Sequence, residues 1–361
     1  MNLEKALAGA DIKINGSRPW DIQVHNKRFY RRIALKGSLG AGESYVDGDW
    51  DCERLDEAFF RLFRHPLDGS VSFSFPNIIQ TLRHIFFNPA SRARAFEVGK
   101  KHYDRDINLF RQMLDKRMAY SCAYWKGAND LDQAQVNKFK LIADKIGLKP
   151  GMKVLDVGSG FGGFALWAEE NYGVEVTGIT VSTSQLEEAR KKAQGKKTQF
   201  FLKDWRDLEG KWDRMVSIGQ FEHVGLKNYF PFMKKMRSLL QSEGLFLLHT
   251  IGNDQSYLYP DPWIEKYIFP NGLVPSLKQI AQALEGHFIV EDLHNLGPNY
   301  DKTLMAWYHN FDQAFPEKNS PFYRLWSYYL LSTAAAFRAR RLELWQFVLS
   351  PEGNLAGYER P

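Results

Sequence analysis

Cysteine is nearly absent from this chain of 361 residues, which has only Cys52 and Cys122. Two isolated thiols give neither a disulfide framework nor a paired metal-ligand spacing. No metal site is expected, and the scarcity fits a reducing compartment. Also missing is any apolar run near the ~18 residues of a membrane span. The longest candidate, Tyr328 to Phe337, is broken by Ser332 and Thr333. Met1-Asn2-Leu3-Glu4-Lys5 lacks the charged-then-apolar shape of a secretory signal, so a cytoplasmic protein is expected. No internal repeat or low-complexity tract is visible.

Apolar residues make up 44% of the chain and aromatics 14%, enough for a sizeable core or an apolar pocket. The net charge of +6 suits an anionic partner, and on charge alone lipid and nucleic acid qualify equally. Basic clusters occur at Lys27-Arg28 with Arg31-Arg32, at Arg92 and Arg94, and at Arg338-Arg340-Arg341. Each is also what an ordinary solvated helix face looks like.

The most informative stretch is Val154-Leu155-Asp156-Val157-Gly158-Ser159-Gly160-Phe161-Gly162-Gly163. A short apolar run ends in an acid and four glycines, and Phe164 to Glu170 then reads as a helix. A strand turning sharply into a helix presents bare N–H groups and a positive helix end to a ligand. Gly158, Gly160 and Gly163 satisfy the dinucleotide spacing, which is weak evidence by itself. That reading also needs an acid at the end of the second strand to bind the ribose. Val174 to Ile179 runs instead into Thr180-Val181-Ser182, and Glu175 lies too early. An acid two residues before the first glycine is the arrangement of S-adenosylmethionine sites.

Further strands are expected at Gln199–Leu202, Asp213–Ile218 and Leu245–Thr250, alternating with helical segments. That alternation predicts a parallel sheet with its ligands at the strand carboxyl ends. Lys203-Asp204-Trp205 would then place a polar and an aromatic residue beside an adenine. Residues 1–100 read as a separate, small, mostly helical domain, with Leu55, Ala58, Phe59 and Leu62 at helical spacing. Gly37 to Tyr45 reads as turn-rich, Pro66 to Pro76 as a loop, and Thr81 to Phe87 as a basic apolar helix. Residues 101–361 read as the cofactor-binding domain, in which a helix over Asn129 to Lys145 leads to the first strand. An insertion over Asn253 to Gln279 could form a lid or an apolar tunnel wall, and Phe322 to Val348 reads as helix.

Several motifs converge on one family. Tyr120-Ser121-Cys122-Ala123-Tyr124-Trp125, the glycine loop, Gly219 to Gly225, Leu248 to Gly252 and Tyr300 to Tyr308 resemble the cyclopropane-fatty-acyl-phospholipid synthases. The resemblance extends over nearly the whole chain, including Gly37 to Trp50 and Ala336 to Arg340. It implies an α/β, Rossmann-like class I S-adenosylmethionine methyltransferase preceded by a lipid-engaging helical domain. It implies an enzyme that adds a methylene group to cis double bonds of acyl chains in membrane phospholipids, with a bound bicarbonate as base. It also implies a homodimer at the anionic inner face of the cell membrane, with no nucleic-acid partner.

The catalytic positions that the resemblance carries over are Glu222, His249, Tyr300, Cys122 and Ile251, the last two through backbone groups. For the cofactor they are Tyr120, Ser121, Asp156, Gly158, Ser159, Gly160, Gly162, Gly163, Thr180, Gln185, Asp204 and Trp205. The chemistry is coherent. An alkene needs alignment with the S–CH₃ bond and exclusion of water rather than activation by a base. A base is needed only afterwards, near the added methyl group. His249 and Tyr300 can donate to bicarbonate, and Glu222 can accept its O–H.

Each of these residues also has a plainer reading. His249 could be a core histidine, Glu222 a helix cap or a partner of Lys227, Tyr300 core packing, and His223 a helix-start residue. Ser159 and Phe161 depart from the family's usual Cys and Trp, and Gln220 from an apolar residue. Thr333 stands where some members carry a cysteine, which argues against a covalent thiol mechanism. Alternative functions are a methyltransferase leaving a mid-chain methyl branch, an N-methyltransferase acting on a small amine, and a lipid-binding protein without activity.

Overall fold

The computed structural model describes residues 3–65 and 107–361. The expected loop after Pro66, the helix over Thr81 to Phe87, Arg92, Arg94 and the boundary near residue 100 lie outside the described residues. The chain forms two compact units. Among the described residues, one comprises 3–65, Tyr259–Pro270 and Tyr300–Leu342; the other comprises 107–258, Asn271–Asn299 and Glu343–Pro361.

The first unit is helical, with one short antiparallel pair, β1 (Gln23–Val24) and β2 (Trp50–Asp51). Its helix Leu55–Arg64 buries Leu55, Ala58 and Leu62, as the spacing predicts. Gly37 to Tyr45, expected to be turn-rich, instead belongs to the helix Arg28–Val46, which kinks at Gly37 (φ 54°). Its glycines serve close packing: a Cβ on Gly40 would strike the Arg32 carbonyl, and one on Gly42 the Trp263 ring. The helix Pro321–Arg338 closes this core, with Arg324 Nε donating to the Tyr45 carbonyl at 2.6 Å and Nη2 to that of Trp50 at 2.8 Å. Tyr328 packs on Tyr45, Phe59 and Trp263 with centroids 5.5, 5.3 and 4.6 Å away.

The second unit is built on a seven-stranded sheet. Its first five strands fall where the apolar runs predict: β3 (Lys153–Val157), β4 (Glu175–Thr180), β5 (Gln199–Leu202), β6 (Trp212–Ile218) and β7 (Leu240–Asn253). Two more were not expected, β8 (Ile289–Asn295) and β9 (Leu342–Ser350). The order is β5-β4-β3-β6-β7-β9-β8. The pairings of β3 with β4 and β6, of β4 with β5 and of β6 with β7 are parallel. β8 runs antiparallel to β9, so the sheet is mixed rather than parallel throughout.

β9 also corrects the reading of Phe322 to Val348 as one helix. The helix stops at Arg338, and Arg340 takes a left-handed φ of 62° before the strand begins.

Successive residues of the central strands serve two apolar layers, as strand alternation requires. Leu155, Val157, Phe246 and Leu248 enter one core, and Val154, Leu247 and Val348 enter the other. Phe139, Ile142 and Ile146, from the helix Leu131–Lys145 and its C-cap, cover the second layer. That helix carries two fully buried lysines, Lys138 and Lys145, seven residues apart and therefore on one face.

Candidate functional site

Each strand from β3 to β7 delivers part of the site at its carboxyl end. β3 ends in Asp156 and runs into the glycine loop. Gly158, Gly160 and Gly162 have φ of 84°, 54° and 81°, a region that costs side-chain-bearing residues about 1–2 kcal/mol each. Gly158 and Ser159 donate their N–H groups to the Ile179 carbonyl at 3.0 and 2.8 Å, tying the loop to β4. A Cβ on Gly158 would stand 2.6 Å from Gln220 Oε1, and one on Gly162 2.6 Å from Phe200 Cζ. Phe110 packs against both Tyr120 and Phe161, with centroids 5.2 and 5.6 Å away, joining the loop to the segment before it.

The ends of β3, β4, β5 and β6 surround a cavity of about 130 Å³. Every expected cofactor residue except Gly162 lines it, from Tyr120 and Ser121 through Asp156 and Thr180 to Asp204 and Trp205. Gly162 is instead the N-cap of the helix Gly163–Tyr172. Thr180 Oγ1 donates to Gln185 Oε1 at 2.8 Å at the end of β4, where a dinucleotide site would carry an acid. Asp204 caps the turn Trp205–Asp207 and pairs with Arg206 at 2.9 Å. The Arg206 guanidinium lies 4.5 Å from the centroid of the Trp205 ring.

Asp156 is buried, and Oδ1 has no hydrogen-bond partner among the described residues. Burial raises its carboxyl to about 7 against the opposing pull of Lys138. Lys138 also lines the cavity, donates to Ser121 Oγ at 2.8 Å and is lowered to about 8 by burial. An orphaned buried acid beside glycine N–H groups fits a ligand carrying both an ammonium and hydrogen-bond acceptors, as S-adenosylmethionine does. Sequence reasoning missed Lys138. Its only signal was a lysine on the apolar side of a helix, at Phe139 and Ile142.

β6 runs into the turn Phe221–His223, pinned by Phe221, which stacks on Tyr229 at 4.4 Å. The Leu273 N–H holds the Glu222 carbonyl at 2.8 Å. The Glu222 carboxylate accepts the Ile251 N–H on Oε1 at 2.6 Å, while Oε2 is buried with no partner among the described residues. Burial raises Glu222 to about 7 and lowers the neighbouring His223 to about 4. His223 and Val224 line the cavity, and Glu222 lies directly before them in the same turn.

His249 stands opposite Ile218 in the β6/β7 register, and its carbonyl accepts the Gly219 N–H at 2.9 Å. Its Nδ1 faces Gln346 Nε2 at 3.2 Å, and its Nε2 is buried without a partner among the described residues. Burial first, then Lys138 and Lys145, hold this imidazole well below its usual value, so it is neutral. The structure thus gathers Glu222, Ile251 and His249 at the ends of β6 and β7.

Cys122 is buried beside cavity-lining Ser121, with Sγ 3.2 Å from the Ala123 carbonyl. Tyr300 belongs to the other unit, where its ring packs on Phe337 and Trp307 with centroids 4.6 and 5.9 Å away. Among the described residues, no group of three or more His, Cys, Asp or Glu side chains could hold a metal ion. Nor is any helix among them long and apolar enough to cross a membrane.

A doubly covered sheet with a glycine loop after β3 and a cavity at the strand carboxyl ends is the fold of class I S-adenosylmethionine methyltransferases. The solved structure of the mycolic acid cyclopropane synthase CmaA1 complexed with SAH and CTAB shares it. That structure has a TM-score of 0.65 and 32% identity, and the match covers 70% of this chain and 97% of that one.

Residues 90–347 match the Mycolic acid cyclopropane synthetase family, and the chain belongs to that family. The cyclopropane-fatty-acyl-phospholipid synthase of Escherichia coli strain K12 is 49% identical over 348 residues, covering 95% of this chain and 91% of that protein. The tuberculostearic acid methyltransferase UfaA1 of Mycobacterium tuberculosis is 30% identical, covering 90% of this chain and 81% of that protein. The chain is an S-adenosylmethionine-dependent methyltransferase of the lipid-cyclopropanating class.

Proposed function

We propose that this enzyme transfers a methylene group from S-adenosylmethionine to the cis double bond of unsaturated acyl chains in membrane phospholipids, with bicarbonate as the base. The observation that carries the reading is a complementary pair of buried atoms without a partner among the described residues, Glu222 Oε2 and His249 Nε2. Burying such groups unpaired is unfavourable, and a ligand that bonds both would remove the penalty. Bicarbonate has an O–H to give Glu222 and oxygens to receive an N–H from His249.

The cofactor, when bound, supplies an electrophilic methyl group, and bicarbonate a proton acceptor small enough for a closed site. The chain's own residues do the rest. The Ile251 N–H fixes the Glu222 carboxylate, so that its second oxygen faces one direction only. Asp156 and Lys138 offer opposite charges to the amino-acid end of the cofactor, Thr180 and Gln185 polar atoms to its ribose, and Asp204 and Trp205 a polar and an aromatic group to its adenine. Apolar walls exclude water from the cation that forms on the lipid, which protects it from hydration. Tyr300 and the Cys122 backbone keep the hydrogen-bonding roles that the family resemblance gives them.

Membrane docking is expected to use the exposed stripe of the helix Arg28–Val46. Tyr30 is 36% exposed and Leu35 73%, and exposed Lys27 and Arg31 flank them at helical spacing. Other basic residues are already paired: Arg28 with Asp49, Arg32 with Asp47 and Asp49, and Arg338 with Asp56 and Asp301. A cytoplasmic homodimer acting at the inner membrane face is part of the same proposal.

Mass spectrometry of unsaturated phospholipid vesicles incubated with enzyme and cofactor tests the reaction. A gain of one CH₂ per modified chain is expected. A product two hydrogens heavier would make the enzyme a branch-forming methyltransferase, and unmodified lipid would overturn the proposal.

A further inference from the structure

β9 is apolar in its interior except at one position. Leu344, Trp345, Phe347, Val348 and Leu349 are buried, and Gln346 sits among them with no exposure at all. The strand lies between β7 and β8 in the sheet. An amide in such a row is tolerated where it has a partner. The Gln346 Nε2 has one, His249 Nδ1 at 3.2 Å, while Oε1 has none among the described residues. By strand alternation His249 shares its face with Leu247, and Gln346 with Val348, both members of one apolar layer. His294 stands opposite Gln346 in the β8/β9 register, so three polar residues cross three adjacent strands there.

We propose that Gln346 is a positioning residue that fixes His249 in the Nε2–H tautomer and so aims a hydrogen-bond donor into the reaction site. A neutral imidazole carries one donor and one acceptor, and the bond made by one nitrogen decides the state of the other. An amide N–H donated to Nδ1 leaves the ring proton on Nε2, the nitrogen that is buried without a partner among the described residues. The reverse tautomer would turn a lone pair toward an anion in the site and repel it. The anion belongs to the proposed reaction, on which this inference rests for its purpose; the tautomer itself does not depend on it.

Two-bond proton–nitrogen spectra of the full chain, made with isotope-labelled histidine, report the tautomer directly. The His249 signals are assigned by their loss in His249→Ala. In the unsubstituted chain, Nε2 should show a pyrrole-type shift and Nδ1 a pyridine-type shift; the opposite pattern overturns the proposal.

Gln346→Met keeps the side-chain volume and removes the donor, and Gln346→Leu is a second variant with the same readouts. Either should give mixed tautomers and lower kcat on the order of tenfold, the scale seen when hydrogen-bond partners of metal-bound imidazoles are removed. The KM for the cofactor should stay unchanged. A tautomer that stays fully Nε2–H without Gln346 also overturns the proposal. The spectra need neither lipid nor cofactor. A wrong tautomer therefore sinks this inference even where rings form, and removes the His249 donor from the proposed site; a correct tautomer without ring formation sinks the reaction alone.

Discussion

The Ile251 N–H reaches Glu222 Oε1 at 2.6 Å, joining the histidine segment of β7 to the turn that follows β6. The bond commits one carboxylate oxygen to the protein backbone and leaves the other, Oε2, for a ligand. It also opposes the burial that raises this carboxyl, whose net value is about 7.

Glu222→Gln keeps the shape and the contact with Ile251 but removes the charge. Turnover should fall on the order of a hundredfold or more, the range for a positioned acid–base group, while cofactor affinity changes little. In the proposed mechanism the ionised form accepts the bicarbonate O–H, so kcat should climb as pH rises through about 7. That limb should be missing in the variant. Near-normal turnover in Glu222→Gln would remove the residue from the mechanism.

His249→Ala opens space and deletes a donor. Added bicarbonate should restore part of the lost turnover by mass action. A flat response over a wide concentration range counts against bicarbonate as the base.

Asp156 has a folded value of about 7 against an ordinary 3.8. Between those limits the folded chain holds a proton that the unfolded chain has released, so this group's contribution to stability falls as pH rises through that window. The cofactor ammonium favours the ionised acid, so cofactor affinity should tighten over the same window, with proton release on binding. Titration calorimetry in buffers of different ionisation enthalpy measures that release. Asp156→Asn should bind more weakly and with no such pH dependence, and an unchanged pH profile in it would assign the effect elsewhere.

Gly162→Ala places a Cβ at φ 81° and 2.6 Å from the Phe200 ring. The backbone term alone is about 1–2 kcal/mol, and the melting temperature should drop by several degrees. An unaltered melting curve would mean that the loop relaxes freely.

For the membrane surface, Arg31→Glu with Leu35→Glu should weaken binding to anionic vesicles. Binding of the unsubstituted chain should fall with salt, as screened charges require. Equal binding to neutral vesicles would dismiss the electrostatic part, and unchanged binding of the double variant would dismiss the stripe.

The sequence was most legible where local chemistry and tertiary packing agree. The loop from Asp156 to Gly163 and the strands before and after it are short apolar runs with glycine stops, and they stand where expected. β9 was hidden because the stop between the helix and the strand is Arg340 in a left-handed conformation, with no glycine to mark it. Gly37 to Tyr45 misled in the opposite sense, since two of its glycines serve close approach within a helix rather than a turn. Lys138 and Gln346 could not be found by pattern. Each is a polar residue on an apolar face, and its meaning comes from a partner on another element.

The Arg324 guanidinium holds carbonyls of residues 279 and 274 positions earlier. A growing chain must therefore deliver more than three hundred residues before Tyr45 and Trp50 receive those donors. Until then the aromatic side chains around Tyr45 lack the helix that covers them. Contacts so distant in sequence slow folding and prolong exposure of apolar surface. Residues 3–65 expressed alone would lack that cover permanently. The exposed stripe of Tyr30 and Leu35 is thus inseparable, in manufacture as well as in the folded state, from the last helix of its own unit.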